Sequence, residues 1–173
     1  VGFDDQNEPD HVVVRLTDET LFNYPFIFMS DVGTLWLDDM EATRLRQYLL
    51  KGGFLWVDDF WGPSAWAQWM GEIGKALPRN EFPVFDIGLD HPIHRVMFDV
   101  EEVPQIPSIQ HWRRSGGSTT SERGSYSDDV HFRGIADKSG RLLVLMSHNT
   151  DIADGWEREG ENYEFFYKFS INA

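Results

Sequence analysis

The chain contains no cysteine. Disulfides, thiolate nucleophiles and Cys-ligated zinc or iron–sulfur sites are therefore excluded together. Cations are also scarce: 15 Lys and Arg stand against 29 Asp and Glu, a formal net charge of -14. Nucleic-acid binding rests on clustered cations that neutralise phosphate, so this balance argues against it. It argues equally against docking on anionic lipid. It suits a basic or neutral partner, or a divalent cation near the carboxylates. No apolar run is long enough to span a bilayer, so no membrane insertion by this segment is expected, and no signal peptide is present. The chain opens on Val1 rather than methionine, which reads as a trimmed or processed start. The missing export signal therefore does not decide between cytoplasm and periplasm. There is no Gly-x-Ser-x-Gly elbow and no phosphate-binding glycine loop, so serine-nucleophile and nucleotide-phosphate chemistry have no support.

What is present specifies a folded domain. With 173 residues, 41% hydrophobic and 14% aromatic, the chain is expected to form a single α/β domain over 1–173. Seven tryptophans exceed the needs of a core this size, so some are expected in a groove or interface, with large buried aromatics the plainer reading.

The stretch from Tyr48 to Gly62 anchors the reading of the chain. A helix is expected over about 39–51, capped by Asp38 with Glu41 three residues on, and bearing Ala42, Leu45, Tyr48 and Leu49 on one face. Gly52 and Gly53 end it, and Phe54–Val57 reads as the next strand. The near-continuous apolar run Tyr24–Ser30 reads as a strand buried on both faces, with Pro25 at its start. Strand, helix, strand makes a βαβ unit with parallel strands and a right-handed crossover. His11–Leu16 is expected to be a further strand. A second helix is expected over about 64–77, burying Trp66, Trp69, Met70, Ile73 and Leu77, and a third short strand over Pro83–Ile87. Residues 88–112 read as a long excursion with a short helix after Pro92, and Arg113 to Asp129 as the least ordered loop. A hairpin is expected from His131–Ala136 and Arg141–Met146, and a last helix over about 161–169.

Three polar clusters fall at carboxyl ends of strands, where open α/β sheets bind ligands. Asp58 and Asp59 follow the Phe54–Val57 strand, with Trp61 beyond; they suit a metal ligand or a general acid–base pair, or a capped turn. Adjacent residues on extended backbone point to opposite sides, so only one carboxylate faces a given crevice. Asp90, His91 and His94 follow the third strand and offer a weak metal-ligand pattern, or braces for a proline turn. Ser147–Asp151, with Asp154 and Trp156 beyond, follows the most hydrophobic strand. There His148 suits a general base or ligand oriented by Asp151, with Asn149, Asp154 and Trp156 as ligand contacts, or the cluster is an Asx-turn network.

Four stretches carry a resemblance: Tyr24–Met29, Leu45–Asp59, Leu89–Ile93 and Ser147–Glu157. Together they resemble a bacterial family of domains of unknown function, DUF4159, over nearly the whole chain. The resemblance implies a three-layer, flavodoxin-like, class I glutamine-amidotransferase-like fold with a mostly parallel sheet and a C-terminal hairpin. It implies export to the periplasm or cell envelope, with the cytoplasm as alternative. It also implies a strand before residue 1 and a helix after Asn172. It brings no reaction: glutamine amidotransferases use a cysteine nucleophile, which this chain lacks. His148 and Asp151 fall where that superfamily keeps its histidine and acid.

Two functions are consistent with these features. One is a non-catalytic module of an envelope complex that binds a protein, small molecule or glycan. The other is a metal-assisted hydrolase acting through His148, Asp151, Asp58 and Asp59, with a divalent metal as cofactor. Convergence of those side chains in one pocket separates the two.

Overall fold

The structure is a computed structural model and describes residues 11–157. Five strands form one open sheet in the order β1-β2-β5-β4-β3. They are β1 (Phe26–Ser30), β2 (Phe54–Phe60), β3 (Val84–Asp86), β4 (His131–Ala136) and β5 (Leu142–His148). β1, β2 and β5 are parallel, β4 is antiparallel to β5, and β3 is antiparallel to β4, so only β4 runs against the rest. The carboxyl ends of β1, β2, β5 and β3 thus share one edge of the sheet.

The helix α1 (Asp39–Leu50) forms where its pattern places it. Asp38 accepts from the Glu41 amide at 2.8 Å, and the Glu41 carboxylate accepts from the Asp38 amide at 3.0 Å. Ala42, Leu45, Tyr48 and Leu49 are its buried face. Gly52 ends it at φ 117, and the Tyr48 ring occupies the space a side chain at Gly53 would need. Losing an N-cap typically costs about 1 kcal/mol. Asp38→Ala is expected to lower the unfolding free energy by that amount, read as a lower urea midpoint with an unchanged m value.

The second helix α2 (Gly62–Ala76) packs beside α1 on the same sheet face. Trp69, Met70, Ile73 and Leu77 are buried there, while Trp66 is half-buried. Ile27, Leu55, Val57, Phe60, Val144 and Met146 supply the sheet side of this core. On the opposite face, Trp56, Leu145 and Phe132 pack against Val100, Ile106 and Ile152. The alternation along β2 and β5 thus decides which layer each residue meets.

Several expectations need correction. His11–Leu16 is not a strand: Val12 and Val13 are exposed, and it pairs with no strand among the described residues. Among the described residues β1 is an edge strand with Phe26 45% exposed, so its apolar run is not buried on both faces. The run Arg113–Asp129 is built rather than loose. It carries the end of α3 (Ile109–Arg114), and the buried Ser121 and Ser127 hydroxyls lie 2.7 Å apart. After Pro92 comes only a single 3-10 turn, Pro92–Arg95. The expected helix over 161–169 lies outside the described residues.

Candidate functional site: a crevice at the carboxyl edge

Asp58 and Asp59 lie inside β2, not beyond it. Val57 pairs with Met146 and Phe60 with His148, so the two aspartates together oppose the single residue Ser147. This is a β-bulge, one extra residue that bends the strand and redirects a side chain. Asp59 adopts φ 54. The neighbouring strand ends do the same: Asp31 after β1 has φ 52, and Asn149 after β5 has φ 65. Asp and Asn tolerate this left-handed geometry better than other side chains, because their short polar groups bond locally. The kinked ends still interlock through backbone bonds, Asp31 to Asp58, Asp59 to Thr150 and Asn149 to Phe60, at 3.0–3.2 Å. Three adjacent strands ending in unusual backbone at one edge point to a site.

A crevice of about 850 Å³ opens there. Its lining includes Asp31, Asp59, Gln68, Glu122, Arg123 and Tyr126, with the start of α2 at Gly62–Ala65. Asp59 is held from two sides, accepting from the Trp61 indole at 2.9 Å and the Ser30 hydroxyl at 3.3 Å. Burial raises its pKa, and the charges of Glu122 and Asp31 add to the rise. Glu122 accepts from the Ser108 amide at 2.6 Å, and Gln68 donates to the Leu35 carbonyl at 2.7 Å. Among the described residues, none of Asp31, Asp59, Glu122 and Arg123 makes an ion pair. Asn149 fixes the back wall. Its side-chain oxygen accepts from the Gly62 amide at 2.8 Å, and its side-chain nitrogen donates to the Asp129 carbonyl at 2.7 Å. α2 has no side-chain N-cap of its own, so Asn149 takes that role from a distant strand.

Behind the crevice lies a second acidic pair. Asp58 is fully buried and accepts from the Ala153 amide at 2.9 Å through Oδ2. Its Oδ1 makes no hydrogen bond of ordinary geometry. Asp151 is 8% exposed and accepts from the Asp154 amide at 3.0 Å. Burial pushes Asp151 up to about 7, helped by the charges of Asp59 and Asp154. Burial likewise raises Asp58 well above the carboxylate range, and the charge of Asp151 adds to the effect. The Ala153 amide and the Ser147 hydroxyl favour the charged form of Asp58 but do not overcome desolvation.

His148 is on the other face of the sheet. Ser147 meets Trp56, whose indole donates to its hydroxyl at 2.7 Å, so the next residue points the opposite way. The His148 ring sits among Phe60 at 4.8 Å, Trp66 at 5.2 Å and His131 at 5.5 Å. Its Nε2 lies 3.1 Å from the Gly62 carbonyl and must donate, because a carbonyl only accepts. Nδ1 is buried and lacks a partner among the described residues. Burial lowers the pKa to about 4, so the ring is neutral at pH 7. The expected pairing of His148 with Asp151 is not formed: the two face different layers.

The third cluster does not converge either. Asp90 is exposed, and His91 accepts from the Ile93 amide to start its 3-10 turn. His94 is fully buried against the Phe132 ring, and burial lowers its pKa. Among the described residues no group of three or more His, Asp or Glu is placed to hold a metal ion. Trp61 reaches the crevice, whereas Asp154 does not line it and donates its amide to the Asp151 carboxyl. The Trp156 side chain lies outside what the structure describes. Asp31, Gln68, Glu122, Arg123 and Tyr126 were not singled out from the sequence. Gln68 lies on the helix α2 outside its expected buried face, the other four lie on connections that show no periodicity, and only the strand order brings them together.

The fold and crevice define an open-sheet α/β domain with a ligand-sized cleft at its carboxyl edge. The model of DUF4159, a domain of unknown function, matches residues 5–172, and the chain belongs to that family. No curated protein matches the sequence. Among the described residues no helix is long and apolar enough to cross a membrane.

Proposed function

We propose that the domain is a non-catalytic binding module whose carboxyl-edge crevice takes a polyhydroxylated small molecule or glycan. The carrying observation is the division of labour between surface and interior. The crevice is lined by hydrogen-bonding groups from separate strand ends and loops, while Asp58, Asp151 and His148 are not among its lining residues. Carboxylates, an amide and a guanidinium in one cleft suit hydroxyl-rich ligands, and the exposed Tyr126 ring offers a face for a sugar. The hydrolase alternative acts through His148, Asp151, Asp58 and Asp59, and the separation of His148 from Asp151 across the sheet favours the binding reading over it. The flavodoxin-like relationship, an envelope location and a protein partner belong to the same reading and rest on the family resemblance.

Titration of neutral oligosaccharides, followed by tryptophan fluorescence or calorimetry, tests the reading. Binding is expected, and Asp59→Asn is expected to weaken it about tenfold, the loss of roughly 1.4 kcal/mol from a charge-assisted hydrogen bond. Asparagine keeps the tolerance for left-handed backbone, so the fold should be unchanged. Equal affinity in the variant, or no binding across a broad saccharide panel, overturns the proposal.

A further inference from the structure

We propose that Asp58 and Asp151 form a proton-operated latch that ties the turn at 151–155 to the bulge of β2, closed while Asp151 holds its proton and released when it ionises. The geometry is specific. Two buried carboxyls from different parts of the chain bond consecutive backbone amides of one turn, Ala153 and Asp154. Asp58 Oδ1 is left without a hydrogen bond in a fully buried position. A neutral acid tolerates that position; a carboxylate there is an unmatched charge.

The charged groups around the pair all oppose ionisation. Asp59 on β2 raises Asp151 through its charge, Asp154 on the turn raises it through its charge and through a side-chain hydrogen bond to it, and Glu122 and Asp31 act on Asp59 in turn. Ser147 on β5 carries no charge; its hydroxyl and the Asp59 amide favour ionised Asp58 but do not overcome its burial. Among the described residues no Lys, Arg or His makes an ion pair with Asp58 or Asp151. Loss of the Asp151 proton therefore places a charge beside Asp59 and Asp154 in a buried site with no counter-ion. Opening the turn to water is the local relief.

The latch bears on the crevice, and this consequence rests on the binding reading above. Asp59 donates its amide to the Thr150 carbonyl at 3.2 Å, so release of the turn loosens the strand end that carries Asp59. Ligand binding would then weaken as pH rises past neutrality.

The test needs no ligand, so its failure is distinct from failure of the binding reading. Amide exchange on the full chain is measured at pH 6 and pH 8 and corrected for base catalysis. The opening constants of the Ala153 and Asp154 amides are expected to rise about tenfold across that interval in the parent, and to stay flat in Asp151→Asn. Equal opening at both pH values, or an unchanged rise in the variant, refutes the latch. Should the variant not fold, carbon-13 titration of the parent's aspartate carboxyls decides: a midpoint near 4 for Asp151 refutes it, and one near 7 supports it.

Discussion

At pH 8 the Asp151→Asn variant is expected to be more stable than the parent by on the order of 4 kcal/mol, and at pH 4 to be nearly equal to it. The reason is that the native state holds a proton which the unfolded state has given up. Asp151 titrates near 3.8 when unfolded and is pushed up to about 7 by burial and by the charges of Asp59 and Asp154. Between those values the native state binds more protons than the unfolded one, so stability falls as pH rises. The cost is absent below 3.8 and complete above 7. Asparagine abolishes it without breaking the local bond, because its oxygen still accepts from the Asp154 amide. Asp58 acts in the same sense, with its own pKa raised by burial, so the Asp151→Asn variant should keep a residual slope. Urea unfolding at the two pH values measures the difference. A variant that is no more stable than the parent at pH 8 would mean that Asp151 is solvated and ionised in the native state.

The element that anchors the sequence also anchors the fold, for reasons that are local. Asp38 and Glu41 satisfy each other's amides within four residues, Gly52 supplies the left-handed stop, and Phe54–Val57 is apolar on both faces. None of this depends on distant contacts. The site was less legible because it depends on register. Adjacent carboxylates do point apart, as extended backbone requires, yet the bulge that separates Asp58 from Asp59 exists only against Ser147 on β5. Nothing near Asp58 in the chain signals that partner. The pairing of His148 with Asp151 failed for a similar reason. Ser147 faces Trp56, so His148 must face α2, while the chain after Asn149 crosses to the other layer and buries Ile152 with Trp56 and Ile106. The Ser- and Gly-rich run was misread because its composition suits a spacer. Its serines are instead hydrogen-bonded to one another and to the backbone, and that bracing sets Glu122 and Arg123 at the cleft. The edge position of β1 was equally hidden, since an apolar run does not reveal whether a neighbour covers it.

The acid side of the stability profile tests the opposite face of the sheet. His148 titrates near 6.5 when unfolded and at about 4 in the native state, where burial, His131 and Arg133 all disfavour the charged ring. Between pH 4 and 6.5 the unfolded state binds the extra proton, so this residue makes stability rise with pH, by about 3 kcal/mol over the interval. Asp151 drives the profile the other way over nearly the same range. The two should largely cancel, which leaves the parent with a shallow profile between pH 4 and 6.5, and each single variant should expose the other residue. In Asp151→Asn, stability is expected to climb by about 3 kcal/mol from pH 4 to 6.5, less the opposing slope of Asp58. In His148→Phe it is expected to fall by a comparable amount as pH rises. Phenylalanine suits a position already enclosed by Phe60 and Trp66, although it gives up the bond to the Gly62 carbonyl at roughly 1 kcal/mol. That loss is independent of pH and shifts the whole curve without changing its slope. The double variant should retain only the slope of Asp58, falling as pH rises. If His148→Phe keeps the parent's shallow profile, the histidine is charged or hydrated in the native state. The aromatic enclosure at the start of α2 would then be open to water, against the burial seen here.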